Sequence, residues 1–232
     1  MTLERMGGVA ALVCAGTYIL GFALLTTILA PLGYGTSNID PHAVAASIDA
    51  RPGILIAWNT AIYVVNALAL AVLVVALSAR LDLGNPQWAS IAQAFGLIWA
   101  TLVLGAGMIA NTAVEVTASA YLIDPVKAAE TWAILHTVEL GLGGGNEIAG
   151  GVWILCVSLA SLTRRTISKL ACGIGLLTGL GGLATIVPMV GELAGAIFGL
   201  GAIFWFLAVA RDLLKIVEQV SVASAMREET NH

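Results

Sequence analysis

The chain has 232 residues, of which 59% are apolar and only 10% are charged, and its mean hydropathy is +0.96. Soluble domains carry about a quarter charged residues, so this composition excludes an ordinary soluble domain and predicts an all-α integral membrane protein. The net charge of -4, with no basic run that contains interleaved aromatic residues, gives no reason to expect a nucleic-acid partner.

Six apolar runs are long enough to cross a bilayer, because a transmembrane helix needs about 20 residues. We expect them to form one polytopic helical bundle, a single transmembrane domain over residues 1–232. The predicted spans are residues 7–32, 54–79, 88–121, 131–162, 170–188 and 192–214. The third and fourth runs are longer than a bilayer requires, so their helices are expected to tilt or to extend beyond the membrane.

The linker after the first span carries the signal of a short helix. Asp40 is a typical N-cap residue, and Pro41 suits the first helical position because its missing N–H would have no helical partner there. We therefore predict a helix over residues 41–50 that ends before Arg51-Pro52-Gly53 and lies on the membrane surface.

The fourth run contains the glycine-rich stretch from Gly141 to Gly145, for which two interpretations are open. Small residues let membrane helices approach closely, so the glycines can simply serve helix packing. Alternatively, they loosen the helix, since glycine costs about 1 kcal/mol relative to alanine in a helix interior. Broken membrane helices often line binding sites.

Basic residues predict which side of the membrane each loop faces, because cytoplasmic loops carry the excess of Lys and Arg. With six spans, eight of them fall on the side of the termini, and only Arg51 and Lys127 fall on the other. The eight are Arg5, Arg80, Arg164, Arg165, Lys169, Arg211, Lys215 and Arg227. We therefore predict that the amino and carboxyl termini are both cytoplasmic.

Ionisable side chains inside a membrane span are costly, so each one is a candidate functional residue. In the predicted topology, these residues gather in the outer parts of the spans. On the fourth helix, Glu139 follows His136 by three residues and Glu147 follows it by eleven, spacings that return to nearly one face. Asn146, seven residues after Glu139, shares that face.

Two other predicted helices carry polar stripes of the same kind. The second presents Asn59, Tyr63 and Asn66 at spacings of four and three residues. The third presents Asn111 and Glu115, which are four residues apart. The candidate ligand-binding residues are therefore Asn59, Tyr63, Asn111, Glu115, His136, Glu139, Asn146, Glu147 and Glu192, the last at the outer end of the sixth helix.

These stripes predict a pocket on the extracytoplasmic side that binds a small ligand or cation, as part of transport or sensing. The alternative is that the same residues form interhelical hydrogen bonds or meet water at the membrane interface. A carrier would suit a metal-free pocket whose carboxylates change protonation, although the cytoplasmic halves of the helices supply no matching polar path.

A divalent metal is the candidate cofactor, because one histidine and several carboxylates form a plausible ligand set, with His136, Glu139 and Glu115 as ligands. A bound metal could activate water and make the protein a membrane-embedded metal-dependent hydrolase. In a third hypothesis, the stripes contact another protein, and the chain is an accessory or structural subunit of a membrane complex. The candidate partners are the lipid bilayer, a second copy of the chain and another membrane protein.

Three segments of the sequence resemble a known family. They are Arg5-Met-Gly-Gly-Val-Ala-Ala-Leu, Pro41-His-Ala-Val-Ala-Ala-Ser-Ile and Gly150-Gly-Val-Trp-Ile-Leu. They are similar to the bacterial membrane family known as domain of unknown function 4386, and the similarity covers nearly the whole chain. The resemblance implies a multi-pass, six-helix protein of the bacterial cytoplasmic (inner) membrane, and it assigns no catalytic residue.

Overall fold

A computed structural model describes residues 2–36, 38–144 and 147–229 of the chain. Within these residues the protein is helical, with short π-helical turns between some helices and no β-strand. The helices are α1 (Leu3–Leu24), α2 (Pro41–Ala50), α3 (Pro52–Asn59), α4 (Asn66–Asp82), α5 (Pro86–Tyr121), α6 (Pro125–Glu139), α7 (Ile148–Arg164), α8 (Lys169–Ala184) and α9 (Gly191–Glu229).

Five helical stretches of the described chain are long and apolar enough to cross a membrane, by length and composition. They are Leu3–Leu32, Pro52–Asp82, Pro86–Tyr121, Pro125–Thr163 and Gly191–Lys215. The prediction of a helical membrane bundle is therefore confirmed. The run predicted at residues 170–188 differs, because α8 ends at Ala184 and its 16 residues are fewer than the about 20 that a span needs.

Polar caps followed by proline begin three of the helices. Asp40, Asn85 and Asp124 each accept a hydrogen bond from a backbone N–H in the following turn, and a proline follows each of them. Helix α2 thus spans Pro41–Ala50, the range expected from the sequence. It packs against α5 and α6, and so it forms part of one end of the bundle.

Aromatic residues fill much of the core. Trp99, Trp153 and Trp205 are each at most 2% exposed, and the rings of Trp153 and Trp205 meet edge to face with 5.2 Å between their centroids. A second apolar cluster forms around Trp58 and Trp132 and includes Val44 and Ile48 of α2, in the linker. The bundle therefore has a large apolar core and a smaller one close to the linker.

The two ends of the bundle differ chemically. At one end, Nη2 of Arg80 donates to the carbonyl oxygen of Thr166 at 3.0 Å, and the backbone N–H of Ser168 donates to Asp212 at 2.7 Å. We call this end, which is rich in Lys and Arg, the basic end; it comprises residues 2–8, 80–86, 164–169 and 211–215. The opposite end, called the linker end, comprises residues 33–36, 38–51, 121–125 and 185–191.

The fourth apolar stretch is broken between α6 and α7. A π-helical turn at Leu140–Gly144 follows α6, and Gly143 has φ 156° and ψ 7°, outside the helical region. A β-carbon at Gly141 would meet no described atom within 4 Å, so this glycine does not serve close packing. The interpretation that the glycine-rich stretch loosens the helix is confirmed for these residues. Further π-helical turns at Leu25–Leu29 and Thr60–Val65 interrupt the first and second stretches.

Close packing through glycine occurs instead between α7 and α8. A β-carbon at Gly151 would lie 2.8 Å from the carbonyl oxygen of Gly179 and 3.0 Å from the backbone nitrogen of Leu183. These are backbone atoms that cannot rotate away. The two helices can therefore approach this closely only with glycine at position 151.

We expect replacement of Gly151 by alanine to destabilise the bundle, because overpacking a close contact costs about 1–3 kcal/mol. The measurement is the free energy of unfolding in mixed detergent micelles. Gly173 of α8 provides the control, since a β-carbon there would meet no described atom within 4 Å. If Gly151→Ala and Gly173→Ala were equally stable, the close contact between α7 and α8 would be disproved.

Candidate functional site

A cavity of about 610 Å³ lies in the half of the bundle toward the linker end. Its walls come from α1, the linker, α3 to α6, the break after α6 and the first turns of α9. Thr36 and Glu192 line the cavity and are exposed, so it reaches the protein surface. Its volume falls within the range of small-molecule pockets, which is about 300–1,000 Å³.

Glu139 is a buried carboxylate at the centre of a hydrogen-bonded group. Its side chain accepts a hydrogen bond from the Tyr63 hydroxyl at 2.5 Å, and its other carboxylate oxygen lies 2.7 Å from Nδ1 of His136. Glu139 is only 3% exposed, and a buried carboxylate is costly unless such groups partner it. The three side chains therefore connect the second apolar stretch to α6.

Aromatic rings surround this hydrogen-bonded group. The Trp132 ring stacks on His136 with 4.7 Å between centroids and 17° between planes. The Tyr34 ring lies 5.6 Å from Trp58, 6.0 Å from Trp132 and 5.8 Å from His136. Tyr34 thus fixes the linker against α3 and α6, and it adds a ring to the cavity wall.

The linker can place the Tyr34 ring inward because glycines flank it. Gly33 has φ 81° and Gly35 has φ 79°, values that favour glycine over residues with a β-carbon. Burial and the nearby Glu139 carboxylate raise the pKa of Tyr34 well above its ordinary value. The phenol therefore remains neutral at physiological pH and forms an uncharged part of the wall.

A second polar contact joins α1 to α4 at the cavity wall. Nδ2 of Asn66 donates to the Thr17 hydroxyl at 2.7 Å, and that hydroxyl donates to the carbonyl oxygen of Cys14 at 2.9 Å. Asn66 is 1% exposed and Thr17 is 7% exposed, so both need such partners. Interhelical hydrogen bonds of this type stabilise membrane bundles by about 1 kcal/mol.

Glutamates outnumber basic residues in the cavity wall, where His136 is the one described lining residue that can carry a positive charge. Glu139, Glu147 and Glu192 line it, and none of the described lining residues is Lys or Arg. Glu147 directly precedes α7, and its backbone N–H donates to the Thr185 hydroxyl at 3.3 Å. An excess of one sign of charge in a concave space concentrates ions of the opposite sign, so the excess of glutamates makes this cavity favour cations.

The structure brings together most of the residues predicted from the sequence, but not all. The predicted residues that line the cavity are Asn59, Tyr63, His136, Glu139, Glu147 and Glu192. Asn111 does not line it, and its Nδ2 donates instead to the Thr60 hydroxyl at 3.1 Å. Glu115 is exposed and also lies outside the cavity wall. Asn146 is outside the described residues.

The predicted metal-ligand set is not assembled. His136 and Glu139 are hydrogen-bonded to each other, but Glu115 lies on an exposed face of α5 away from the cavity wall. In the part of the chain that the structure describes, no group of three or more His, Cys, Asp or Glu residues could hold a metal ion. The spacing of four between Asn111 and Glu115 identified one helix face, but that face is not turned toward His136.

Sequence reasoning missed the contributions of α1 and of the linker. Thr17 and Tyr18 from α1 and Tyr34 from the linker all line the cavity. One signal could have indicated them: three of the four tyrosines of the chain, including Tyr63, line this one space. Tyrosine in a membrane protein often marks a place where an apolar ring needs a polar partner.

Fold and site together define a class of protein: a polytopic α-helical membrane protein with an acidic, aromatic-walled cavity toward one end of its bundle. No protein-family model, curated protein or solved structure matches the chain significantly.

We expect Tyr63→Phe to lower the free energy of unfolding by about 1–2 kcal/mol, because the buried Glu139 would lose one of its two hydrogen-bond partners. Unfolding in mixed detergent micelles measures the loss. Tyr121→Phe is the matched control, since Tyr121 makes no side-chain hydrogen bond to another described residue and lies outside the cavity wall. Equal stability of the two variants would contradict the role assigned to the Tyr63 hydroxyl.

Proposed function

We propose that this protein is a six-span protein of the bacterial cytoplasmic membrane whose cavity opens to the extracytoplasmic side and binds a small ligand or cation. Binding there would serve transport or sensing. The single observation that carries the proposal is that a cavity of about 610 Å³ is lined by three carboxylates and, among the described residues, by no Lys or Arg.

The free-energy cost of burying carboxylates supports a binding role. A carboxylate inside a membrane bundle is expensive, so the buried Glu139 and the half-buried Glu147 need a compensating interaction. Glu139 receives it from Tyr63 and His136, whereas the side chain of Glu147 makes no hydrogen bond or ion pair to another described residue. A bound cation would stabilise Glu147, and the exposed Glu192 lies at the cavity mouth where a cation would enter.

The path of the chain supports six crossings. Helix α7 ends near Arg80 and Thr166 at the basic end, whereas α9 begins at Gly191, which lines the cavity. Helix α8 must therefore run from the basic end to the half of the bundle that contains the cavity, and it packs between α7 and α9. The excess of basic residues at the basic end then favours a cytoplasmic position for that end and an extracytoplasmic position for the linker end.

The break after α6 favours transport over a static binding role. Discontinuous helices in transporters often form the substrate site, and non-helical backbone is tolerated at membrane depth where it borders a cavity. Gly143, the residue with non-helical φ and ψ, lines this cavity, and so does Glu147 just beyond it. The metal-dependent hydrolase and the accessory subunit stay predictions with no comparable support.

We expect at least one cation to raise the melting temperature of the purified protein. A ligand at one hundred times its dissociation constant stabilises a folded protein by about 2.7 kcal/mol. The full chain in detergent would be titrated with sodium, magnesium and tetraethylammonium chlorides. The stabilisation should be lost in Glu147→Gln and retained in Glu115→Gln, because only Glu147 lines the cavity.

Two results would contradict the proposal. One is that no tested cation raises the melting temperature above the value measured at the same ionic strength in a control salt whose ions are too bulky for the cavity. The other is equal stabilisation of the two glutamine variants, which would place the cation outside the cavity.

A further inference from the structure

We propose that the ligand of this cavity is an organic ammonium-type cation with an apolar body. The inference rests on the proposed function, because it names the chemical class of ligand for the same cavity. It combines three features of one space: negative charge, aromatic walls and a polar side chain without a partner.

The geometry of the carboxylates is unfavourable for an inorganic ion. Divalent ions take several oxygen ligands at about 2.0–2.6 Å. Both oxygens of Glu139 are engaged already, one with Tyr63 at 2.5 Å and the other with His136 at 2.7 Å. A space of about 610 Å³ is also far larger than a single ion. A cation that carries its own apolar body would fill it.

Aromatic side chains supply the surface that such a body needs. The aromatic residues of the wall are Tyr18, Phe22, Tyr34, Tyr63, Trp58 and Trp132. The negative face of an aromatic ring attracts a cation within about 6 Å, and indole does so most strongly. Substituted ammonium ions gain from this attraction and bury their apolar groups against the same rings, whereas a small hydrated ion must first lose its water.

One largely buried polar residue on the wall also lacks a partner. Asn59 is 5% exposed, lines the cavity and makes no side-chain hydrogen bond to another described residue. Buried polar groups are normally hydrogen-bonded. The Asn59 amide therefore indicates a ligand with a polar function beside its apolar body.

The test compares a charged ligand with its uncharged isostere. Isothermal titration calorimetry on the full chain in detergent would use benzyltrimethylammonium and neopentylbenzene, which differ only in nitrogen replaced by carbon. Because the carboxylates and ring faces attract the charge, we expect the ammonium compound to bind about tenfold more tightly or better.

Tryptophan variants locate the binding. Trp58→Leu should weaken binding of benzyltrimethylammonium by about tenfold or more, and Trp58→Phe by a smaller factor, because phenylalanine keeps a ring face. Trp88→Leu is the control, since Trp88 is exposed and lies outside the cavity wall. If Trp58→Leu does not fold, Trp58→Phe and the isostere comparison decide the outcome.

Several results would overturn the inference. Equal binding of the two isosteres would show that charge is not recognised, and equal binding by the Trp58 and Trp88 variants would place the ligand elsewhere. Binding of magnesium but not of the ammonium compound would overturn the ligand class and leave the proposed function standing. Binding of no cation of either kind would overturn both.

Discussion

A carboxylate buried among apolar helices must have hydrogen-bond donors, and this requirement at Glu139 determines much of the architecture around it. Tyr63 from the second apolar stretch and His136 from α6 meet that requirement at 2.5 and 2.7 Å. His136 is in turn stacked on Trp132, and Tyr34 contacts both of these rings. One buried carboxyl group thus links the linker, the second stretch and α6 in a fixed arrangement.

The two halves of the bundle have different packing for a physical reason. In the apolar core, rings such as those of Trp153 and Trp205 and the contact of Gly151 with Gly179 favour close, regular packing. The π-helical turns and the break at Gly143 instead lie beside the cavity, where a wall facing an open space does not require continuous helices. The regular half therefore supports an irregular half in which a ligand can be accommodated.

Hydrophobic pattern alone predicted the helical bundle, because long apolar runs have few other stable structures in a membrane. Spacing also predicted that His136 and Glu139 would share a face, and these two side chains do meet. The same rule was uninformative for Glu115, since periodicity shows which residues share a face but not whether that face meets a neighbouring helix or the surroundings. Tyr34 could not be found this way, because a linker has no periodicity and its position depends on tertiary packing with Trp58.

The most direct test of the account is whether a positively charged reagent enters the cavity from outside the cell. Gly195 lines the cavity, and a β-carbon there would meet no described atom within 4 Å, so cysteine fits at this position. Gly195→Cys, in a chain whose three native cysteines are replaced by alanine, would be treated in intact cells with trimethylammonium-ethyl or sulfonato-ethyl methanethiosulfonate. We expect the cationic reagent to react at least about tenfold faster than the anionic one at Gly195→Cys, and neither reagent to react at Gly173→Cys. Equal rates with the two reagents, or no reaction at Gly195→Cys, would contradict an acidic cavity open to the extracytoplasmic side.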